Sequence, residues 1–130
     1  MDQIIVDTDI LIDYFRTNKG ELVNLLEKQL QGKLEIAISS VTVYELFSGK
    51  SSKESKPMIL RLISKFKIIP MDEKITEFAG ELNRDNNLSI SSHDFFIAAT
   101  AILCDSLLAT KNKKHFSKIP GLKLILDKPE

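Results

Sequence analysis

Asp7 and Asp9 flank a hydroxyl, Thr8, directly behind the β-favouring run Ile4-Ile5-Val6. Glu45 lies just past a second β-favouring stretch. Asp94 opens a long apolar segment that leads into a fourth such stretch, and Thr110 and Asn112 follow that one directly. Continuous apolar runs suit strands buried on both faces of a parallel sheet. A sheet of that kind binds ligands outside the carboxyl ends of its strands, and a helix leading back down into a strand starts at the same edge. Asp7, Glu45, Asp94, Thr110 and Asn112 therefore converge. Like charges gathered at one edge repel unless a cation neutralises them. Oxygen-only ligands from a few carboxylates, completed by water, suit Mg²⁺ or Mn²⁺ rather than zinc.

Each carboxylate also fits a plain helix-end role. Asp7 or Thr8 is a favoured cap for a helix over Ile10 to Phe15. Thr42-Val43-Tyr44-Glu45 matches a capping box, in which Glu45 bonds back to the Thr42 amide. Asp94 in a first helical turn gains from the helix dipole. For any one of them alone, capping explains the sequence at least as well. Their joint placement is what favours a site. His93 reads as a helix-start residue rather than a base.

The elements that must position these groups follow from periodicity and punctuation. Thr17 to Gly20 is a connector, and Leu22, Leu25, Leu26 and Leu30 share one face of a helix that Gly32 ends. Leu34 to Ile38 reads as a second strand, broken by Ser39-Ser40, with a short helix over Thr42 to Phe47. Lys50 to Pro57, polar and serine-rich, reads as an exposed loop before a helix over Met58 to Phe66. Lys67 to Ile69 is a third strand. Asp72 caps a helix carrying Ile75, Phe78, Ala79 and Leu82 on one face, and Asn86-Asn87 ends it. Ser92 caps a helix to Cys104 that is apolar almost all round and belongs in the interior. Helices 72–86 and 92–104 cannot both run antiparallel to their strands, so one must tilt. Leu107 to Ala109 is a fourth strand, Lys111 to Phe116 a polar turn, and Lys123 to Leu126 a fifth strand. Strands alternating with helices indicate a parallel α/β sandwich with four to five strands.

Bulk properties agree with one globular domain over residues 1–130. Hydrophobic residues make up 43% and charged residues 28%, and Lys plus Arg equals Asp plus Glu at 18 each. Zero net charge argues against a generic nucleic-acid binder coated in positive charge, but allows an acidic pocket with basic flanks. The single cysteine, Cys104, excludes an internal disulfide and a cysteine-based zinc site. The absence of a membrane-length apolar segment or a signal-peptide pattern leads us to expect a cytoplasmic protein.

Four motifs in order carry a family resemblance. Asp7-Thr8-Asp9-Ile10-Leu11-Ile12-Asp13, Ser40-Val41-Thr42-Val43-Tyr44-Glu45-Leu46, His93-Asp94-Phe95-Phe96-Ile97-Ala98-Ala99, and Leu108-Ala109-Thr110-Lys111-Asn112 with Phe116 following resemble the PIN-domain nucleases. Most closely they resemble the VapC-type toxins of toxin–antitoxin pairs. The resemblance spans essentially the whole chain. It implies a three-layer α/β/α fold and a Mg²⁺- or Mn²⁺-dependent ribonuclease. It also implies a homodimer, neutralised by a small antitoxin at or over the active site. By position, Asp7, Glu45 and Asp94 correspond to the family's acidic metal-binding and catalytic set. The fourth acidic position of many PIN domains falls at Asn112, a neutral ligand at best, which leaves open whether the site takes one metal ion or two. Asp9 is the nearest group to compensate, and Thr110 could bond a phosphate or a water. Lys111, Lys113, Lys114 and His115 could oppose the phosphate charge of RNA, or form a solvated surface turn. Two other readings stand beside this one. One is a PIN-like module that binds RNA or protein without turnover; the other is a Mg²⁺-dependent phosphohydrolase with Asp7 as nucleophile and Asp9 as general acid.

Overall fold

The structure is a computed structural model and describes residues 2–125. In chain order it contains β1 (Asp2–Val6), α1 (Thr8–Thr17), α2 (Glu21–Leu30), β2 (Leu34–Ser39), α3 (Ser40–Ser48) and α4 (Ser52–Ile63). These are followed by β3 (Lys67–Ile69), α5 (Glu73–Asp85), α6 (Ser92–Leu103), β4 (Leu107–Ala109) and α7 (Lys113–Phe116). The four strands form one sheet in the order β3-β2-β1-β4, with every pairing parallel.

The apolar runs of the strands divide by alternation between two cores, because successive residues of a strand face opposite sides of the sheet. Ile4, Val6, Ile36 and Ile38 pack with Ile10, Leu11, Leu22, Leu25 and the α4 residues Ile59, Leu62 and Ile63. Ile5, Ala37, Ile69 and Leu108 face the other way, onto Ile75, Ala79 and Leu82 of α5 and onto Phe95, Ile97, Ala98 and Ala101 of α6. Both faces are covered. The result is the expected three-layer α/β/α sandwich. Helices α5 and α6, joined by a short link, pack against each other in the second layer. Full burial of a side chain such as Ile97 contributes about 1.5–3 kcal/mol, which is why α6 tolerates so little polarity.

Several sequence expectations need correction. Lys50 to Pro57 is not a loop: α4 begins at Ser52 and runs through Pro57. The polar first half of α4 faces water, while Ile59, Leu62 and Ile63 anchor its second half in the core. The cap of α6 is Ser91, whose hydroxyl accepts from the Asp94 amide; Ser92 is already helical. Helix α3 starts at Ser40 with Ser39 as cap, so the capping box at Thr42 and Glu45 does not form. The turn after β4 winds into the single helical turn α7 around a fully buried Phe116. Of the expected fifth strand, Leu124 forms an isolated parallel bridge with Leu108, and Leu126 lies outside the described residues.

Candidate active site

The chain builds β1, β2 and β3 outward in one direction, then returns with β4 to the other side of β1. That reversal opens a crevice at the carboxyl ends of β1 and β4, where open α/β sheets bind ligands. Asp7 follows β1 and Thr110 follows β4, and Asp7 N donates to Ala109 O at 2.9 Å.

Asp7 is both cap and site residue. Its backbone is extended (φ −72°, ψ 152°), and it is the N-cap of α1. Oδ1 accepts from the Thr8 amide at 2.8 Å, and Oδ2 accepts from Thr110 Oγ1 at 2.7 Å. The residue is only 6% exposed. Burial pushes its carboxyl up to about 7, the neighbouring Asp9 charge adds to this, and Asp94 adds further; the Thr110 and Thr8 bonds oppose it. Asp9 is also raised by burial, against the stabilising Lys111 amide, which donates to its Oδ2 at 3.2 Å. The charges of Asp9 and Asp94 thus both bear on the Asp7 carboxyl, while a hydrogen bond between Asp7 and Asp9 favours the Asp9 carboxylate. As a nucleophile Asp7 is poorly disposed, with both oxygens engaged by protein donors.

Glu45 reaches the same edge from α3 through a chain of hydroxyls. Its Oε1 accepts from Thr8 Oγ1 at 2.7 Å, and Thr8 and Thr42 hydroxyls lie 3.0 Å apart. Because the single Thr8 proton serves the carboxylate, Thr42 donates between the two hydroxyls. Glu45 Oε2 lies 3.2 Å from His93 Nδ1. The sequence reading missed this partnership, since nothing in local spacing links positions 45 and 93.

The remaining expected site residues sit at the rim. The exposed Asn112 engages through its backbone, donating from its amide to Thr110 Oγ1 at 3.0 Å. Lys111 Nζ is 3.2 Å from Asp13 Oδ1, so this cation is partly neutralised by α1. Gly20 makes room for that carboxylate: at φ +100°, a Cβ there would lie 2.7 Å from Asp13 Oδ2. Lys113 and Lys114 lie on α7, with Lys114 exposed.

Among the described residues, no three His, Cys, Asp or Glu side chains are drawn together closely enough to hold a metal ion. The donor chemistry nevertheless fits one. Asp7 is a buried and Asp9 a half-buried oxygen donor, and burial raises both carboxyls, a cost to the charged forms that a hard divalent cation would offset.

A parallel sheet covered on both faces, with carboxylates at its switch point, defines a class of α/β sandwich proteins with an acidic site. Within it, the PIN domain family model matches residues 4–122, and the chain belongs to that family. It is 34% identical over 127 residues to ribonuclease VapC1 of Methanocaldococcus jannaschii, covering 94% of this chain and 86% of the relative. It is 36% identical over 123 residues to ribonuclease VapC10 of Mycobacterium tuberculosis, covering 92% and 90%. Among solved structures, VapBC2 from Rickettsia felis bound to a promoter DNA fragment superposes with a TM-score of 0.80 at 28% identity, over 95% of this chain and 97% of that one. A toxin–antitoxin complex from Klebsiella pneumoniae gives 0.72 at 29% identity, over 95% and 96%. No helix among the described residues is long and apolar enough to cross a membrane.

Proposed function

We propose that this chain is a PIN-domain toxin ribonuclease that hydrolyses RNA phosphodiester bonds with Mg²⁺ or Mn²⁺. The observation that carries the reading is the buried Asp7 beside the half-buried Asp9 at the β1–β4 crevice, in a chain whose relatives are named ribonucleases. Asp7, Glu45 and Asp94 would hold the cation, with Asp9 in support. When bound, the cation lowers the pKa of water and offsets charge on the phosphoryl oxygens. Thr110 keeps Asp7 oriented by donating to Oδ2, a bond that favours the carboxylate against the burial that raises it. Thr8 orients Glu45 by donating to its Oε1. Lys114 and the α7 turn bring positive charge to the rim, where an RNA backbone passes.

The partner is a small antitoxin, as in the complexes that the neighbouring structures contain. Its seat is a groove of about 420 Å³ beside Glu45, lined by Ile12, Phe15, Arg16, Met58 and Ile59. Half-exposed apolar residues there, including Ile12 and Met58, leave surface for an apolar segment to cover. The toxin works as a cytoplasmic homodimer. The test is purified protein with labelled RNA, in Mg²⁺ or Mn²⁺ and in EDTA. Cleavage that needs the cation and disappears in Asp7→Asn is expected. Equal cleavage by Asp7→Asn would sink the assignment.

A further inference from the structure

We infer that His93 is a positioning residue: it fixes the Glu45 carboxylate and sets its place relative to Asp94, so that both serve one cation. This rests on the metal-dependent reading above. Glu45 and Asp94 come from helices in different layers, α3 and α6, and His93 Nδ1 to Glu45 Oε2 at 3.2 Å is the hydrogen bond that joins those helices. His93 is also the chain neighbour of Asp94 in the first turn of α6, so the bond holds Glu45 to the backbone that carries Asp94.

The ring itself is held on two further sides. Tyr44 meets it edge-on, with centroids 5.9 Å apart and planes at 81°. Phe96 stacks on it at 6.5 Å and 29°. A carboxylate can only accept, so Nδ1 carries the proton and donates. Glu45 is a long side chain with rotamer freedom to lose. Donors on both of its oxygens, Thr8 on one and His93 on the other, choose one arrangement in advance. Partners that orient a ligating carboxylate are part of a metal site, and removing one typically costs about 10–100-fold in affinity or activity.

The experiment uses the full chain and Mn²⁺ alone as the titrant, followed by calorimetry, with RNA cleavage and thermal melts in EDTA measured in parallel. His93→Ala should weaken Mn²⁺ binding by about 10–100-fold and lower kcat at nearly unchanged KM. His93→Asn, whose amide nitrogen can replace Nδ1, should restore most of both. In a Glu45→Ala background, His93→Ala should cost nothing further, because its effect runs through Glu45. Parent-like Mn²⁺ affinity in His93→Ala would overturn the proposal. So would losses that add to those of Glu45→Ala, or a fall in melting temperature shared by both His93 variants with no rescue by Asn. The nuclease reading fails separately. A parent that binds Mn²⁺ but leaves RNA uncut, with affinity falling in His93→Ala and returning in His93→Asn, keeps the positioning role without the RNA substrate.

Discussion

Asp7 answers a choice that the sequence posed as either cap or site. It caps α1 through Oδ1 and faces the crevice through a carboxyl pushed up from 3.8 to about 7. Its spacing behind an apolar run made it legible as a candidate, because strand ends and helix starts leave strong local patterns. Glu45 was found by its place at the sheet edge, and the competing cap reading fails: the capping box matched in letters, but α3 begins two residues earlier and the side chain turns to Thr8 and His93. Long-range pairs of this kind have no sequence period. The Asp7 shift has a measurable sign. A carboxyl raised on folding binds its proton more tightly in the folded state, so stability is fullest below about pH 4 and is lost as pH rises through about 7. Three units correspond to something on the order of 4 kcal/mol, with Asp9 acting in the same direction. In EDTA the melting temperature of the parent should therefore fall between pH 5 and 8, and fall less in Asp7→Asn. Parallel slopes for the two proteins would rule out the buried carboxyl as the cause.

Elements with strong apolar runs or helical spacing were legible from sequence: β3 and β4 lie where Lys67 to Ile69 and Leu107 to Ala109 predict them, and Asp72 caps α5 through Ile75 N. Helix α4 was half hidden, because serines, lysines and a proline are also what an exposed loop contains. Burial of Ile59, Leu62 and Ile63 overrides that composition. Pro57 sits past the first turn of α4, where it removes a backbone donor and crowds the carbonyl four residues back. Pro57→Ala should stabilise the protein by about 1–2 kcal/mol, the helical gain less the entropy returned to the unfolded chain. Urea midpoints measure it. A lowered midpoint would mean that the proline sets an angle that the packing of Ile59 and Leu62 requires.

Across the whole molecule, equal numbers of acidic and basic residues conceal a division: carboxylates in the crevice, lysines on its rim. Lys111 is partly neutralised by Asp13, so Lys114→Ala should flatten the salt dependence of RNA binding by about 0.7 per lost contact, and Lys111→Ala by less. Equal slopes for both variants and parent would leave this turn as plain surface. The crevice also couples to global stability, because the charges of Asp9 and Asp94 both bear on the buried Asp7. Neutralising one of them relieves repulsion in the metal-free protein, whereas Glu45, already held by Thr8 and His93, has donors to strand. In EDTA, Asp9→Asn should melt at or above the parent temperature, and Glu45→Gln below it. With saturating Mg²⁺ or Mn²⁺ the parent gains RT ln(1 + [L]/Kd), about 2.7 kcal/mol at a hundredfold excess over Kd, and should overtake Asp9→Asn. Paired melts in chelator and metal decide the matter. A parent indifferent to both cations, with Asp9→Asn destabilised equally in the two conditions, would reduce these carboxylates to helix caps that happen to share an edge.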